Sequence, residues 1–416
     1  MLDDVVPCRH RDGTHRAVAP RQTLERFWPL APLMGITRLA DVTGLDCVGI
    51  PVVMAVRPNA RSLAVSQGKG LTRELARASA LMEAIELHHA ERVVLPLKLG
   101  SIEELRYDHA LLDLEVLPRD RLAAVDPYRP ILWVEGVDIQ RGRGVWVPFA
   151  IVHTAYGPDA TALPATGCLA MSSNGLASGN HPLEAIAHGV YECIERDATG
   201  LFTLATETGR EARRLDLATV DDPSCRVILE RLARAAVLVA VWDVTSDVGL
   251  PVYSATICER DPSSARAVGA AHGSGCHPAR EIALARALTE AVQSRLTVVS
   301  GARDDMSRSI YRKSLDRVVL ERLRAELLRD GTRPFHAAPG VVADTANEEL
   351  AHAAAKLSAA GFTQIVAVDL TRRELRVPVV RVVVPGLEGD ANDGETLLGP
   401  RAAARFARAM GEGGAA

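Results

Sequence analysis

Three widely separated stretches of the chain repeat one design: a glycine-bearing turn, then a helix whose few charged groups fall along a single stripe. The first leads from Ser66-Gln67-Gly68-Lys69-Gly70 to Ser79, Glu83 and Glu86. The second leads from Gly179-Asn180-His181-Pro182 to Glu184, Glu192, Glu195 and Arg196, and the third from Gly273-Ser274-Gly275-Cys276-His277-Pro278 to Arg286, Glu290 and Gln293. At about 100° per residue, positions i, i+4 and i+7 lie within roughly 60° of one another, the spacing of Ser79/Glu83/Glu86 and Arg286/Glu290/Gln293, while Glu184, Glu192 and Glu195 span roughly 80°. The residues between are small or apolar, among them Ala80, Leu81, Ala84, Ala185, Ile186, Val190, Ala287, Leu288 and Val292. A solvated helix mixes Lys and Arg among its acids to gain i, i+4 pairs, and apart from the stripe itself each of these helices is nearly devoid of charge over its mid-section. One such stripe is ordinary as the wet face of an amphipathic helix; three, each behind a glycine turn, point to a shared pocket. Close carboxylates raise one another's pKa unless a cation lies between them, and an all-oxygen set suits magnesium better than zinc. An acidic pocket with two arginines, Arg196 and Arg286, suits magnesium and a polyphosphate.

Composition narrows the class of protein. With 416 residues, 48% hydrophobic and 24% charged, the chain can bury a large core. A net charge of −4 gives no broad basic field, so neither nucleic acid nor an anionic membrane is expected as a partner. Met1-Leu2-Asp3-Asp4 lacks a basic then apolar signal region, and no apolar run is long enough to span a bilayer; the expected location is cytoplasmic. The seven cysteines, Cys8, Cys47, Cys168, Cys193, Cys225, Cys258 and Cys276, lack zinc-site spacing and read as reduced, mostly buried thiols. Cys276, in a glycine-rich turn, is the one placed for exposure.

Short apolar runs alternate with helical patterns, which argues for a mixed α/β (α+β) architecture. Strands are expected at Ile50 to Val56, Val237 to Trp242, Ile365 to Val368 and Val379 to Val384, and helices at Arg73 to Glu91, Pro182 to Ala198, Ala279 to Ser300 and Asn347 to Ala359. Both later stripe helices follow Gly-x-His-Pro and carry Ile-Ala at the same distance (Ile186-Ala187, Ile282-Ala283), a weak internal repeat. Proline suits a first helical turn because its missing N–H has no intrahelical partner there. Residues 303–317 read as a charged surface loop, and the tail beyond Gly389 as frayed at its end. No low-complexity linker divides the chain, which favours one elaborated domain.

Other phosphate and catalytic motifs fail. Ser66-Gln67-Gly68-Lys69-Gly70-Leu71 lacks the first glycine and the hydroxyl residue of a Walker loop. Gly273-Ser274-Gly275 lacks the third glycine of a dinucleotide fingerprint, and neither a Gly-x-Ser-x-Gly elbow nor a His-Glu-x-x-His pair occurs. His88-His89 read as packed or exposed residues rather than ligands.

Ser66 to Glu86, Ser172 to Ala198 and Gly273 to Arg295 strongly resemble the signature blocks of the YcaO superfamily, over residues of about 30 to 390. The resemblance implies that family's fold: helices packed on mixed and antiparallel sheets, with repeated sheet–helix units around a central pocket for ATP and Mg2+. It divides the chain into an N-terminal segment (1–62), an ATP-binding catalytic domain (63–390) and a partly flexible tail (391–416). Carried over, the family pattern makes Ser79 a nucleotide contact and Glu83 and Glu86 metal ligands. Asn180 and Glu184 become nucleotide contacts, Glu192 and Glu195 metal ligands, Arg196 and Arg286 phosphate contacts, and Glu290 a metal ligand with Gln293 beside it. Family members also carry an N-terminal basic residue that reaches the phosphates; Arg16, in Gly13-Thr14-His15-Arg16, is the candidate.

The implied chemistry is amide activation. A nucleophile adds to a backbone carbonyl of a substrate peptide or protein, and phosphorylation of the oxygen by ATP turns it into a leaving group, with Arg196 and Arg286 holding the transferring phosphoryl group. A Cys, Ser or Thr side chain as nucleophile gives an azoline; an external sulfur donor, commonly with a TfuA partner, gives a thioamide. The proline-rich tail usual in azoline enzymes is missing, and Asp41-Val42-Thr43-Gly44-Leu45-Asp46, Val368-Asp369-Leu370-Thr371 and Val384-Pro385-Gly386-Leu387-Glu388 resemble the TfuA-associated branch. A non-catalytic ATP-binding adjunct is the alternative of another class. A homodimer is the default expectation for assembly.

Overall fold

The computed structural model describes residues 4–119, 124–155, 168–169, 171–261, 268–303, 305–306, 311, 315–389 and 399–405. Two of its three sheets are small antiparallel meanders of the same form. Strands β1 (Arg38–Asp41), β2 (Val52–Val56) and β3 (Val65–Lys69) make the first, and helix α2 (Arg73–Ala90) follows it. Strands β8 (Val237–Asp243), β9 (Val252–Glu259) and β10 (Ala271–Cys276) make the second, and α5 (Arg280–Ser300) follows it. Each helix packs on the last strand of its own meander. The third, six-stranded sheet runs β4 (Leu97–Gly100), β5 (Ile131–Asp138), β11 (Val366–Asp369), β12 (Val379–Val383), β7 (Leu176–Ser178), with β6 (Arg143–Pro148) also paired to β5. Helix α3 (Pro182–Thr203) leaves β7 and lies on β7 and β12.

Four further helices, α1 (Pro20–Phe27), α4 (Pro223–Arg234), α6 (Arg317–Leu327) and α7 (Ala346–Ala359), pack around these units, beside the short helices Ile102–Leu105 and Glu207–Glu211. Their starts follow from side chains that satisfy otherwise unpaired N–H groups. Asp222 caps α4 by accepting from the Cys225 N–H, and Thr345 with Glu348 forms a capping box on α7. The strands read from the sequence are present, with β2 and β12 buried over nearly their whole length; the apolar run of β2 is unbroken, while β12 holds a buried Arg381 that donates to the Val152, Ser172 and Asn174 carbonyls. The second stripe helix runs past Ala198 to Thr203.

Two expectations need correction. Ser66 to Lys69 and Gly273 to Cys276 are strand, in β3 and β10, and not turns; only Gly179 to His181 is a connection between strand and helix. The glycines serve close approach instead. A Cβ on Gly68 would stand 2.0 Å from the Ala80 N and 2.3 Å from the Ala76 carbonyl oxygen; one on Gly273 would stand 2.2 Å from the Ala291 N. Bare glycine therefore lets α2 and α5 lie directly on the strand backbone. Cys276 is likewise fully buried rather than exposed. All seven cysteines are free, six of them buried and Cys47 exposed.

His88 and His89 are packed, His89 with its ring Nδ1 2.8 Å from the Ile85 carbonyl. The repeated Gly-x-His-Pro has a shared geometry: the His181 Nδ1 accepts from the Leu183 N–H (3.2 Å) and the His277 Nδ1 from the Ala279 N–H (3.0 Å). Most of the 303–317 segment lies outside the described residues, as do 390–398 and 406–416. Within the tail, residues 399–405 dock on the body, where Gly399 and Ala402 donate backbone N–H groups to Glu388.

Candidate active site

The glycine-bearing strands set the site because they bring side chains of one unit against the helix of another. Lys69, the last residue of β3, crosses to α5, with its Nζ 2.5 Å from Glu290 Oε2. From β10, the Ser274 hydroxyl donates to Glu195 Oε1 (2.6 Å) and the Cys276 N–H to Glu195 Oε2 (2.9 Å), which fixes a carboxylate of α3. Ser178, ending β7, donates its N–H (2.8 Å) and its hydroxyl (2.7 Å) to Glu86 on α2. The Arg286 guanidinium stands 3.9 Å from Glu195. Arg295, one turn beyond Glu290, clamps the two meanders through Asp46 (2.8 Å) and Glu259. The three stripes thus converge on one acidic centre.

Electrostatics report the crowding. Burial pushes Glu83 up to about 7, against the pull of Lys69. Burial pushes Glu86 up to about 8, with Glu83 and Glu192 adding to it against the hydrogen bonds from Ser178. Glu192 is likewise raised by burial to about 7, with Arg196 opposing and Glu195 reinforcing. Glu290 differs: burial raises it, but Lys69, Arg196 and Arg286 together bring it below the usual carboxylate value. These groups keep partial solvent access while Glu195 is buried. His188, one turn after Glu184, is held far below its ordinary value by burial and by Arg286, Arg16 and Lys69, and is neutral at pH 7.

The nucleotide-contact candidates fall at the start of α3. Glu184 accepts from the Ala17 N–H (3.3 Å) and lies 3.7 Å from the Arg16 Nε. Asn180 accepts from the Thr23 hydroxyl (3.1 Å), and its carbonyl accepts from Arg26 (3.0 Å). Arg196 and Glu290 line an open cleft of roughly 640 Å³ shared with Ser274, Thr199, Trp242 and Thr256. Ser79 and Gln293 keep their places on the stripes, but among the described residues neither hydrogen-bonds to a carboxylate of the centre. Sequence reasoning gave no role to Lys69, Ser178, Ser274 or His188. Lys69, Ser178 and Ser274 stand on or beside glycine motifs, a signal hidden when those motifs were read as turns; His188 carries no motif.

Residues 67–388 match the family described as "YcaO cyclodehydratase, ATP- and Mg2+-binding". The chain belongs to the YcaO family. A protein from Rhizobium leguminosarum bv. trifolii, described as uncharacterized and lying in the tfuA 3' region, is 40% identical over 94% of this chain and 93% of its own length. An uncharacterized protein of Methanothermobacter thermautotrophicus is 35% identical over 92% of this chain and 97% of its own. The fold superposes on YcaO from Methanopyrus kandleri bound with AMPPCP and Mg2+, with a TM-score of 0.70 and 25% identity over 95% of this chain and 98% of that one. It also superposes on a heterocyclase in complex with substrate and cofactor, with a TM-score of 0.74 at 22% identity, spanning about half (54%) of that longer chain.

As a YcaO protein the chain is an ATP-dependent peptide-modifying enzyme that uses ATP and Mg2+. Its own residues fit those groups. The donor set is all carboxylate oxygen, the set hard cations take, and burial raises three of the carboxyls to about 7 to 8, where a bound cation would favour their ionised forms. The Arg286 Nε is buried without a hydrogen-bond partner among the described residues, a donor waiting for an anion. No helix of the described residues is long and apolar enough to cross a membrane.

Proposed function

We propose that this enzyme activates a backbone amide of a ribosomally made peptide or protein by ATP-dependent phosphorylation of its oxygen, and that sulfur from an external donor then replaces that oxygen to give a thioamide. The convergence of carboxylates from α2, α3 and α5 beside Arg196 and Arg286 supports the first half. Similarity to a protein in a tfuA 3' region, together with the three TfuA-branch segments, supports the second and suggests a TfuA-like partner. The location proposed is cytoplasmic.

In this reading Glu83, Glu86, Glu192, Glu195 and Glu290 would hold Mg2+, which supplies charge neutralisation for the transferring phosphoryl group. Ser79, Asn180, Glu184, Gln293 and Arg16 contact the nucleotide. Arg196 and Arg286 stabilise the charge that spreads over the phosphoryl oxygens. Ser274 and the Cys276 N–H orient Glu195, and Lys69 keeps Glu290 ionised. The neutral His188 adds no further cation beside Glu184. The catalytic unit proposed over residues 63–390 is completed by the N-terminal segment, which supplies β1, β2 and Arg16.

Reconstitution tests this. The enzyme is incubated with ATP, Mg2+, sulfide, the TfuA-like partner and a candidate peptide encoded beside it, and the peptide is weighed. A rise by the oxygen-to-sulfur difference is expected. A fall by one water would make it an azoline-forming cyclodehydratase, and unchanged mass with intact ATP binding would make it an adjunct.

A further inference from the structure

Backbone N–H groups of the N-terminal segment stitch it onto the start of α7: Val6 donates to the Asn347 side-chain Oδ1 and Cys8 to the Asp344 carbonyl, both 2.9 Å. Between Cys8 and Ala17 the chain loops back on itself, with His10 and Arg16 exchanging N–H···O bonds of 3.0 Å. This loop delivers Cys8 and His15 to Glu349 of α7. Cys8 is 8% exposed and Glu349 5%, and one ligand atom from each of the three residues lies within 4.8 Å of the other two. His15 Nδ1 and Glu349 Oε1 stand 2.5 Å apart.

Two further observations point to an occupant. Cys8, His15, Glu349, Tyr191 and His277 line an enclosed cavity of about 20 Å³, room for a single water or ion. Tyr191 is 4% exposed, and among the described residues its hydroxyl has only Glu349 close to it, at a geometry short of a full hydrogen bond. A buried hydroxyl so weakly partnered, at such a cavity, fits a ligand placed between it and Glu349.

We propose that Cys8, His15 and Glu349 bind one divalent cation of the zinc class, at a site separate from the carboxylate centre. A thiolate, an imidazole and a carboxylate form a three-ligand set of the kind that leaves a fourth position open, here facing the cavity and Tyr191. Hard Mg2+ prefers the all-oxygen centre instead. His277 is an outer partner and not a fourth ligand. Its Nδ1 accepts from the Ala279 N–H, so in the neutral ring Nε2 carries the proton and stands 3.7 Å from Glu349 Oε1, beyond a hydrogen bond but on the side of the carboxylate. Binding forms a metal–sulfur bond and releases the Cys8 thiol proton to solvent. Because Arg16 follows His15 directly and stands 3.7 Å from Glu184, the cation fixes the loop that presents Arg16 to the nucleotide; this last clause rests on the proposed ATP reading.

The test is a Co2+ titration of chelator-stripped full-length protein without nucleotide, with Co2+ itself as the probe. One equivalent should bind and give an intense thiolate-to-cobalt absorption. Cys8→Ser should abolish that band while the far-ultraviolet circular dichroism is retained, and Glu349→Gln should weaken Co2+ binding by at least about tenfold. Cys276→Ser should keep the band. A folded wild type that binds Co2+ without the band, or a band that survives in Cys8→Ser, overturns the proposal. Cobalt at the carboxylate centre would give no thiolate band, so failure here is distinguishable from failure of the nucleotide site, which Mg2+-dependent AMPPCP binding reads separately.

Discussion

The β3–α2 and β10–α5 units share one construction and differ in charge state. Each is a three-stranded meander whose last strand carries a glycine against which the following helix packs backbone to backbone. Each helix then presents glutamates from its face toward the same centre. Yet burial raises Glu83 and Glu86 to about 7 and about 8, while Glu290 is lowered. The difference comes first from Lys69, supplied by the first unit and in contact with the carboxylate of the second, and then from Arg196 and Arg286 beside it. The backbone design sets where a carboxylate stands, and a neighbouring unit decides whether it holds its proton.

The strongest way to break the comparison is to fill the glycine. We expect Gly68→Ala, and equally Gly273→Ala, to destabilise the protein by about 4 kcal/mol or more in denaturant titration, because the clash is with helix backbone and not a yielding side chain. Unchanged stability in either variant would mean the close packing is absent.

Next in size is the loss of function at the centre. Glu83→Ala and Glu195→Ala should each remove Mg2+-dependent AMPPCP binding in calorimetry, a loss of at least about a hundredfold if each carboxylate is a metal ligand, while circular dichroism stays that of the wild type. Wild-type binding by either variant would refute the pocket assignment.

Acidity gives a smaller effect with a definite sign. Glu83, Glu86 and Glu192 hold protons more tightly folded than unfolded, so their contribution to stability is present below about pH 4.5 and is lost as pH rises through about 7 to 8. Mg2+ binds the ionised forms. Its affinity should therefore fall by about tenfold or more between pH 8 and pH 6, and Mg2+ should raise the melting temperature more at pH 8 than at pH 6. A flat profile would show that these carboxyls do not meet the ion.

The finest test acts on the side chain that contributes most to the lowering of Glu290. Lys69→Met should let Glu290 titrate with the other carboxyls, so that Mg2+ binding at pH 7 releases more protons than in wild type, by up to about one per chain. Calorimetry in buffers of different ionisation enthalpy reads that number. Equal proton release would assign the lowering of Glu290 to Arg196 and Arg286 instead.

Much of this was legible in the sequence. Helical period placed Glu83, Glu86, Glu192, Glu195 and Glu290 on stripes because side chains at i, i+4 and i+7 must share a face, whatever the rest of the chain does. The apolar runs of β2 and β8, and that of β12 on either side of Arg381, gave their strands for the same local reason, since a strand buried on both faces shows no alternation. The glycine motifs were found but misread: a glycine needed for a turn and one needed for contact with a helix look alike until the helix is seen lying on it. Lys69, Ser274 and the Cys276 N–H gained roles only when β3 and β10 brought them to helices of other units. The same is true of Cys8, His15 and Glu349, which are spread over more than three hundred residues of chain. Periodicity is a property of neighbours along the chain and fixes which groups share a face; which faces meet, and the pKa values that follow, depend on contacts across hundreds of residues that only the folded arrangement of the sheets decides.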